Sequence, residues 1–561
     1  MATEVLNGNA SRFAARRMAL FVFVALLALL VLLPLARLQW LAFSNGGQGY
    51  RDAFGTPAIW ETILNTVGLA IGSTAVALVF GTLLAWWATQ LSPRLQWLRV
   101  LPILPIVIPA VASVSGWAFL FSPRPGYLNA LLRQLPWWSD LRFGPVDIYT
   151  LFWIVAITGF ALSAFVYLFV SSGLRNINSE LLEAARTSGA SAFKAFFQVT
   201  LPLLRPVLVY GGGVALLLGL GQFTAPLLLG TNQGINVLTT QMYWATQSEP
   251  INHAAAAAIG SPLLVFGIIM VFAQKMLLGD QTRYVTHGGR AFRAAGKPSV
   301  LAAVGIFTYF VLTTLLPLVS LAILSLSPFW SANPKISNFT LENFRVAFGE
   351  SVIVGAIINS VMTSLVAVAI SLVIGFIVAV VTIRGRRYWL LRSVMDIIVA
   401  LPLGVPAVIF GVGFLLAYSM PPLMLYGSRW LIIIVYVTLM LPFTTRMQLA
   451  GMLQLGSAYI EASRVCGASY LKTDLWITLP LMRSTLGGAA ALMFVLLTHE
   501  FTASVLIRTP RNQVMGTVLF DYWQNGGYPL VAAIALIMTG VTAIGVVLAM
   551  LLGGRDALTR I

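Results

Sequence analysis

The sequence predicts an all-α, polytopic membrane protein of about twelve transmembrane helices in two parallel six-helix repeats. Three observations predict it. Of 561 residues, 59% are hydrophobic and 9% charged, against about 25% charged in ordinary soluble domains. Apolar runs long enough to cross a bilayer follow one another along the whole chain. The second half also repeats short motifs of the first at a nearly constant offset.

A helical crossing needs about 20 apolar residues. Such segments are expected at 18–40, 58–88, 100–121, 149–173, 205–229, 254–277, 300–327, 353–383, 394–418, 430–452, 484–507 and 529–553. Arg12, Arg16 and Arg17 precede the first. Its apolar run is longer than that of a cleaved signal peptide and has no small-residue cleavage site, so an uncleaved helix is expected. The organisation that follows is 1–57 (N-terminus, first helix and outer loop), 58–277 (first membrane unit) and 278–299 (basic linker). Then come 300–352 (seventh helix and outer loop), 353–553 (second unit) and 554–561 (tail).

The repeat is legible residue by residue. Asn65-Thr66 matches Asn359-Ser360, and Gly81 matches Gly375. The run from Leu104 to Val111, with Pro105 and Pro109, matches Leu401 to Val408, with Pro402 and Pro406. Glu183-Ala184-Ala185 matches Glu461-Ala462-Ser463, and Gln222-Phe223-Thr224-Ala225 matches Glu500-Phe501-Thr502-Ala503. An even number of crossings per half gives both halves one membrane orientation, related by an axis along the membrane normal. A longer outer loop, roughly 122–148, belongs to the first half.

Charge sets the orientation. The net charge is +17. Basic residues in short loops between apolar runs exclude nucleic-acid binding and follow the positive-inside rule. With the N-terminus inside, 24 of the 34 Lys and Arg fall in cytoplasmic segments. Both termini are therefore expected in the cytoplasm and the chain in the bacterial plasma membrane. Cys466 is the single cysteine, so no intrachain disulfide forms; it is expected to be a small buried apolar residue.

Each half has one long cytoplasmic loop between its fourth and fifth spans. The first carries Glu183, Ala184, Ala185, Arg186, Gly189 and Pro202; the second carries Glu461, Ala462, Arg464, Gly467 and Pro480. Glu, Ala and Arg favour a short helix. The glycine permits a positive φ or a close approach, so the chain turns there. A second, amphipathic helix follows, with Phe193, Phe196 and Phe197 expected on one side and Lys194 and Gln198 toward the other. The proline stands near the start of the next span, where its missing N–H costs little. The expected unit is a helix–Gly–helix elbow.

These two loops resemble the signature of permeases of type I ABC importers, and the resemblance covers nearly the whole chain as two fused copies. It implies that each elbow is a coupling helix seated in a cleft of an ATPase subunit. It also implies two copies of that ATPase, an extracytoplasmic substrate-binding protein, and ATP and Mg held by the ATPase. Ser463 departs from the usual second Ala but is small enough for the same groove. Arg186 and Arg464 are open to two roles, pairing with acidic groups of the ATPase or with Glu183, Glu180 or the inner surface charge. No phosphate loop occurs: Gly296-Lys297-Pro298 lacks the Ser/Thr after Lys. The chain is thus expected to be a transport subunit, not an enzyme, with no cofactor or metal of its own. The stretches around Gln222 to Leu229 and His499 to Ile507 look most like ferric-iron permeases, within a group that also moves thiamine, polyamines or phosphonate.

Ionisable groups inside spans are candidate functional residues. His499 and Glu500 are expected inside the eleventh span, with Gln222 the counterpart of Glu500 facing it across the axis. Glu500 has two readings, a pathway charge or a carboxylate held in local hydrogen bonds. Pro105, Pro109, Pro402 and Pro406 have two as well, interruptions lining a pathway or packing kinks. A twelve-helix secondary transporter is the competing class. It calls for buried acids for ion coupling and leaves the matched loops unexplained. An integral-membrane enzyme needs a clustered set of polar groups, which His253, His287 and His499 in separate segments do not supply.

Overall fold

The computed structural model describes residues 2–175, 177, 181, 184–185, 187–278, 298–385, 388–456 and 458–553. The linker, the tail, Glu180, Glu183 and Arg186 lie outside the described residues, apart from isolated positions at the linker's edges. All regular structure among the described residues is helical. The principal helices are α1 (Ala2–Phe54), α2 (Ala58–Thr89), α3 (Ala110–Phe121), α4 (Leu151–Arg175), α5 (Arg205–Leu220), α6 (Leu238–Gln247) and α7 (His253–Leu278) in the first half. The second half has α8 (Val300–Ser325), α9 (Ser351–Arg384), α10 (Trp389–Gly404), α11 (Ala407–Tyr418), α12 (Arg429–Leu455), α13 (Arg483–Thr498), α14 (Met515–Gln524) and α15 (Tyr528–Gly553). Among the described residues eight helices are long and apolar enough to cross a membrane, twelve if each of four bent pairs counts as one span.

The third and ninth spans are each interrupted. Pro93–Val107 turns by 96° into α3, and α10 turns by 110° into α11. Pro109 and Pro406 stand at the two breaks as the residues before α3 and α11. The lower limb is 3-10 in the first half, where Pro102 and Pro105 each remove an N–H and crowd a carbonyl. It is α-helical in the second, where Val399 replaces Pro102. The fifth and eleventh spans are also broken, since α5 ends at Leu220 and α13 at Thr498.

The first span of each half reaches across to the other half. α1 packs on α7 of its own half and on α11; α8 packs on α15 of its own half and on α3. Both crossings are backbone-close at corresponding glycines. A Cβ on Gly116 would come within 2.6 Å of the Pro317 carbonyl oxygen, and one on Gly413 within 2.8 Å of that of Pro34. Without a hydrophobic drive between helices in lipid, such close approach supplies van der Waals attraction. Gly81 and Gly375 serve the same end within each half. A Cβ there would meet Val166 at 2.7 Å and Thr444 Oγ1 at 2.4 Å.

Three π turns each precede a Leu-Pro step: Phe196–Thr200 before Pro202, Val311–Leu315 before Pro317 and Asp474–Thr478 before Pro480. A proline has no N–H for the carbonyl four residues back and its ring crowds that oxygen. Widening the preceding turn lets the leucine N–H bond five residues back instead, as from Leu201 to Phe196 and Leu479 to Asp474. The wider turn shifts the side-chain register. Phe196 is buried, Phe197 is 48% exposed, and their rings meet at 5.2 Å; the side chain of Phe193 lies outside the described residues.

The crossing contacts make a clear forecast. Gly413→Ala is expected to destabilise the fold by about 1–3 kcal/mol through overpacking, read as a lower unfolding temperature of detergent-purified protein. Gly540→Ala, where a Cβ meets nothing within 4 Å, is expected to leave that temperature unchanged or slightly raised.

Candidate functional site: an aromatic square and two elbows

Corresponding residues of two symmetric halves touch one another only at the axis that relates them. Phe223 and Phe501 correspond, and their ring centroids are 5.7 Å apart. Tyr243 and Phe520 correspond, at 6.2 Å. Within each half, Phe223 meets Tyr243 at 5.7 Å and Phe501 meets Phe520 at 5.4 Å. The four rings close a square on the pseudo-twofold axis, and all four are buried. Aromatic pairs of this kind add about 0.5–1.5 kcal/mol each beyond area burial.

The repeated dipeptides hold this square in place. The Leu238 N–H at the start of α6 donates to Thr66 Oγ1 at 2.9 Å, and the Met515 N–H at the start of α14 donates to Ser360 Oγ at 2.8 Å. Asn65 Nδ2 donates to the Asn236 carbonyl and Asn359 Nδ2 to the Gln513 carbonyl. The Val237 and Val514 N–H groups donate to Thr240 and Thr517, both at 3.0 Å. Helix starts leave N–H groups without intrahelical partners, and in both halves side chains of α2 or α9 satisfy them. Tyr243 and Phe520 are thereby fixed relative to the long helices.

His499 and Glu500 stand in the break after α13, not inside a helix as expected. The Glu500 carboxylate turns back on its own chain. It accepts from the Ala503 N–H at 2.7 Å, the Ser504 N–H at 3.0 Å and the Ser504 hydroxyl at 2.5 Å. His499 Nε2 lies 2.7 Å from Thr542 Oγ1. In the first half, Gln222 Oε1 accepts its neighbouring Phe223 N–H and the Gln222 carbonyl accepts from Thr239. The residues meeting across the axis are thus Phe223 and Phe501, one position beyond the polar pair. Pro406 packs on the same break: a Cβ on Gly221 would lie 3.3 Å from its Cβ. Pro109 stands at the break of its own span, and Pro105 and Pro402 lie inside the limbs that lead to the breaks.

The elbows are built alike. In the first, the Ala190 N–H donates to the Ala185 carbonyl and Gly189 has φ +88°. In the second, the Ala468 N–H donates to the Ser463 carbonyl, the Gly467 N–H to that of Arg464, and Gly467 has φ +82°. This is the Schellman end of a helix, which places a left-handed residue at the turn. A Cβ on either glycine meets nothing within 4 Å, so the backbone angle, not crowding, requires glycine. Cys466 is exposed, contrary to the burial expected, because it sits on the solvent side of this turn. Arg464 bonds the Ala468 carbonyl and lies 4.1 Å from the Tyr470 ring centroid, so it braces its own elbow.

Further ties of the second elbow were not legible in advance. Arg384, at the end of α9, holds Asp474 bidentately at 2.6 and 2.7 Å. Ser463 bonds Thr473 at 2.9 Å. In the first half Ala185 and Ala195 occupy the positions of Ser463 and Thr473, and Phe196 that of Asp474. Phe196 instead packs on Trp86 of α2 at 4.6 Å. Trp86 is close to the matching end, so an aromatic contact stands where the second half has ions.

One helix joins each elbow to one ring of the square: α5 runs to Phe223 and α13 to Phe501. Sixteen residues make a rod of about 24 Å. Two homologous membrane-spanning halves, joined at a shared axis and carrying paired elbows on one side, define a fused two-copy permease. The family described as "Binding-protein-dependent transport system inner membrane component" matches residues 95–280 and 371–555. The chain belongs to that family, and it is a permease of the ABC importer class.

Among its relatives is the "Ferric transport system permease protein FbpB" of Actinobacillus pleuropneumoniae, 26% identical over 88% of this chain and 70% of that one. The "Probable ABC transporter permease protein y4fN" of Sinorhizobium fredii is 26% identical over 89% and 88%. The "Sulfate transport system permease protein CysT" of Salmonella typhimurium is 28% identical over 44% of this chain and 86% of its own. A chain from a solved bacterial ABC transporter for alginate is similar at 17% identity and a TM-score of 0.38, covering 45% of this chain and 93% of that one.

The clips on α6 and α14 are testable. Thr66→Val with Ser360→Ala leaves two buried N–H groups without acceptors, at about 1–3 kcal/mol each. The double variant is expected to unfold at a lower temperature than either single variant, by roughly the sum of their shifts.

Proposed function

We propose that the chain forms the translocation pathway of an ATP-driven importer, running along the pseudo-twofold axis and closed in this state by Phe223, Tyr243, Phe501 and Phe520. The square carries the reading: a plug of rings shared equally by both halves opens only when the halves move relative to one another. The elbows around Gly189 and Gly467 are the places where that movement enters. Each seats on one of two ATPase subunits, which hold ATP and Mg. Glu183, Ala184, Ala185 and Arg186 of one elbow, and Glu461, Ala462 and Arg464 of the other, belong to those contacts. The π turns before Pro202 and Pro480 pass the movement into α5 and α13. Both termini and both elbows lie in the cytoplasm, and an extracytoplasmic binding protein delivers the cargo to the opposite face.

Ferric iron is the cargo we propose. Support comes from relatives over most of the chain whose names specify ferric transport. Selection of the cargo falls mainly to the binding protein, since three of the four rings, Phe223, Phe501 and Phe520, carry no ligand atom and Tyr243 carries one. Among the described residues no group of three His, Cys, Asp or Glu forms a metal site.

The test is ATP-dependent uptake of radioactive ferric iron into vesicles holding the chain with its ATPase and binding protein. Gly189→Pro and Gly467→Pro are each expected to lower uptake and stimulated ATP hydrolysis at least about tenfold, because proline holds φ near −65°. The amount of protein in the membrane should stay the same. Survival of stimulated hydrolysis in both variants would overturn the coupling role. Uptake of sulfate, thiamine or a polyamine in place of iron would overturn the cargo alone.

A further inference from the structure

The square is tied differently in its two halves. Arg508 follows the short helix Ser504–Ile507, whose base carries Phe501. Its Nη1 donates to Asp521 Oδ1 at 2.6 Å and to the Thr517 carbonyl at 3.1 Å. Asp521 is the next residue after Phe520 on α14, and Gln513 Nε2 donates to its other oxygen at 3.0 Å. The ion pair therefore staples the two segments that bear the second half's rings. The corresponding positions of the first half are Gly230 and Trp244, which cannot form it. There, the Thr239 hydroxyl bonds the Gln222 carbonyl at 2.6 Å.

The pair lies toward the outer mouth. Its loop is joined to the α11–α12 connection through the bond from Asn512 to the Ser428 carbonyl. The side chains of Arg508 and Asp521 are 20% and 32% exposed. Charges this far out of water attract more strongly than a surface pair, and removing one partner leaves the other incompletely solvated.

We infer that Arg508 and Asp521 are positioning residues for the plug, an ionic latch on its outer side that holds Phe501 and Phe520 in the square. The inference rests on the pathway passing through those rings. Breaking the latch lets the second half's rings part and admits water and small solutes from outside. The first half's rings stay where the Thr239 bond holds them, so the plug yields on one side.

The single cysteine makes the test clean. In a Cys466→Ser background, Gln222→Cys places a thiol just inside the plug. Its labelling by a membrane-impermeant maleimide added outside intact cells is measured with the native complex in place. Arg508→Gln and Asp521→Asn are each expected to raise the labelling rate about fivefold, within the range that a coupled pair of contacting charges sets. The exchange Arg508→Asp with Asp521→Arg is expected to bring the rate back to within about twofold of the parent, which a merely structural loss would not do.

Phe223→Ala with Phe501→Ala is the control and is expected to label fastest. Rapid labelling of this control with unchanged rates in the latch variants would overturn the latch and leave the pathway standing. Absence of labelling in the control would overturn both. If the charge-removing variants fail to reach the membrane, Arg508→Lys decides. A rise of about two- to threefold is expected where a point charge replaces the guanidinium fork, and no rise would overturn the latch.

Discussion

The pseudo-twofold axis is the constraint on which the rest depends. A residue placed on such an axis must tolerate contact with its own counterpart. Two like charges about 5–6 Å apart in a medium of low polarity repel strongly. Two aromatic rings attract, edge to face or tilted. Phe223 with Phe501, and Tyr243 with Phe520, meet that requirement. The polar pair one position back, Gln222 and Glu500, is kept off the axis by bonds to its own local backbone. The carboxyl group gains two N–H donors and a hydroxyl partner there, which offset the cost of holding a polar group away from water.

From that centre outward the design is a chain of stiff parts joined by defined bends. A Schellman turn ends the first elbow helix, a π turn and a proline join the second to α5 or α13, and the rod ends at a ring. Each bend has a local cause in one residue type: a glycine whose φ is positive, or a proline that cannot donate. The bends are therefore fixed by covalent chemistry and do not depend on weak surface contacts. The bundle around them is held by close backbone crossings at Gly116 and Gly413. A displacement imposed at an elbow meets few compliant elements before it reaches the axis.

Much of this was legible in the residues. The composition, the apolar runs and the paired motifs gave the fold class and the repeat, because bilayer length and backbone satisfaction leave few options. The glycines of the elbows were legible because a turn of that kind needs a positive φ. The square was only half visible. Phe223 and Phe501 lay inside a matched motif, but attention goes to the titratable neighbours, and no spacing rule tells which of two adjacent residues touches its symmetry mate. Asn65-Thr66 and Asn359-Ser360 were plain as a repeat. Their purpose, satisfying the starts of α6 and α14 about 170 and 155 residues away, could emerge only from the tertiary structure. Arg384 with Asp474 was hidden for the same reason.

Fusion of the halves explains why their ties differ. In a permease made of two identical chains, every contact near the axis is made twice and any change appears on both sides. One chain encoding both halves removes that restriction. Here the differences arrive as pairs: Ser463 with Thr473 where the first half has Ala185 with Ala195, Arg384 with Asp474 near where it packs Trp86 on Phe196, and Arg508 with Asp521 where it has Gly230 with Trp244. Paired change is what the energetics require. A half-buried charge or hydroxyl without its partner costs more than the complete pair contributes, so either both members are present or neither is. The second half has therefore become the ionically braced one at its elbow and at its ring. At the matching described positions the first half has the Phe196–Trp86 contact and the Thr239 bond instead, so the two sides of the axis are tied unequally.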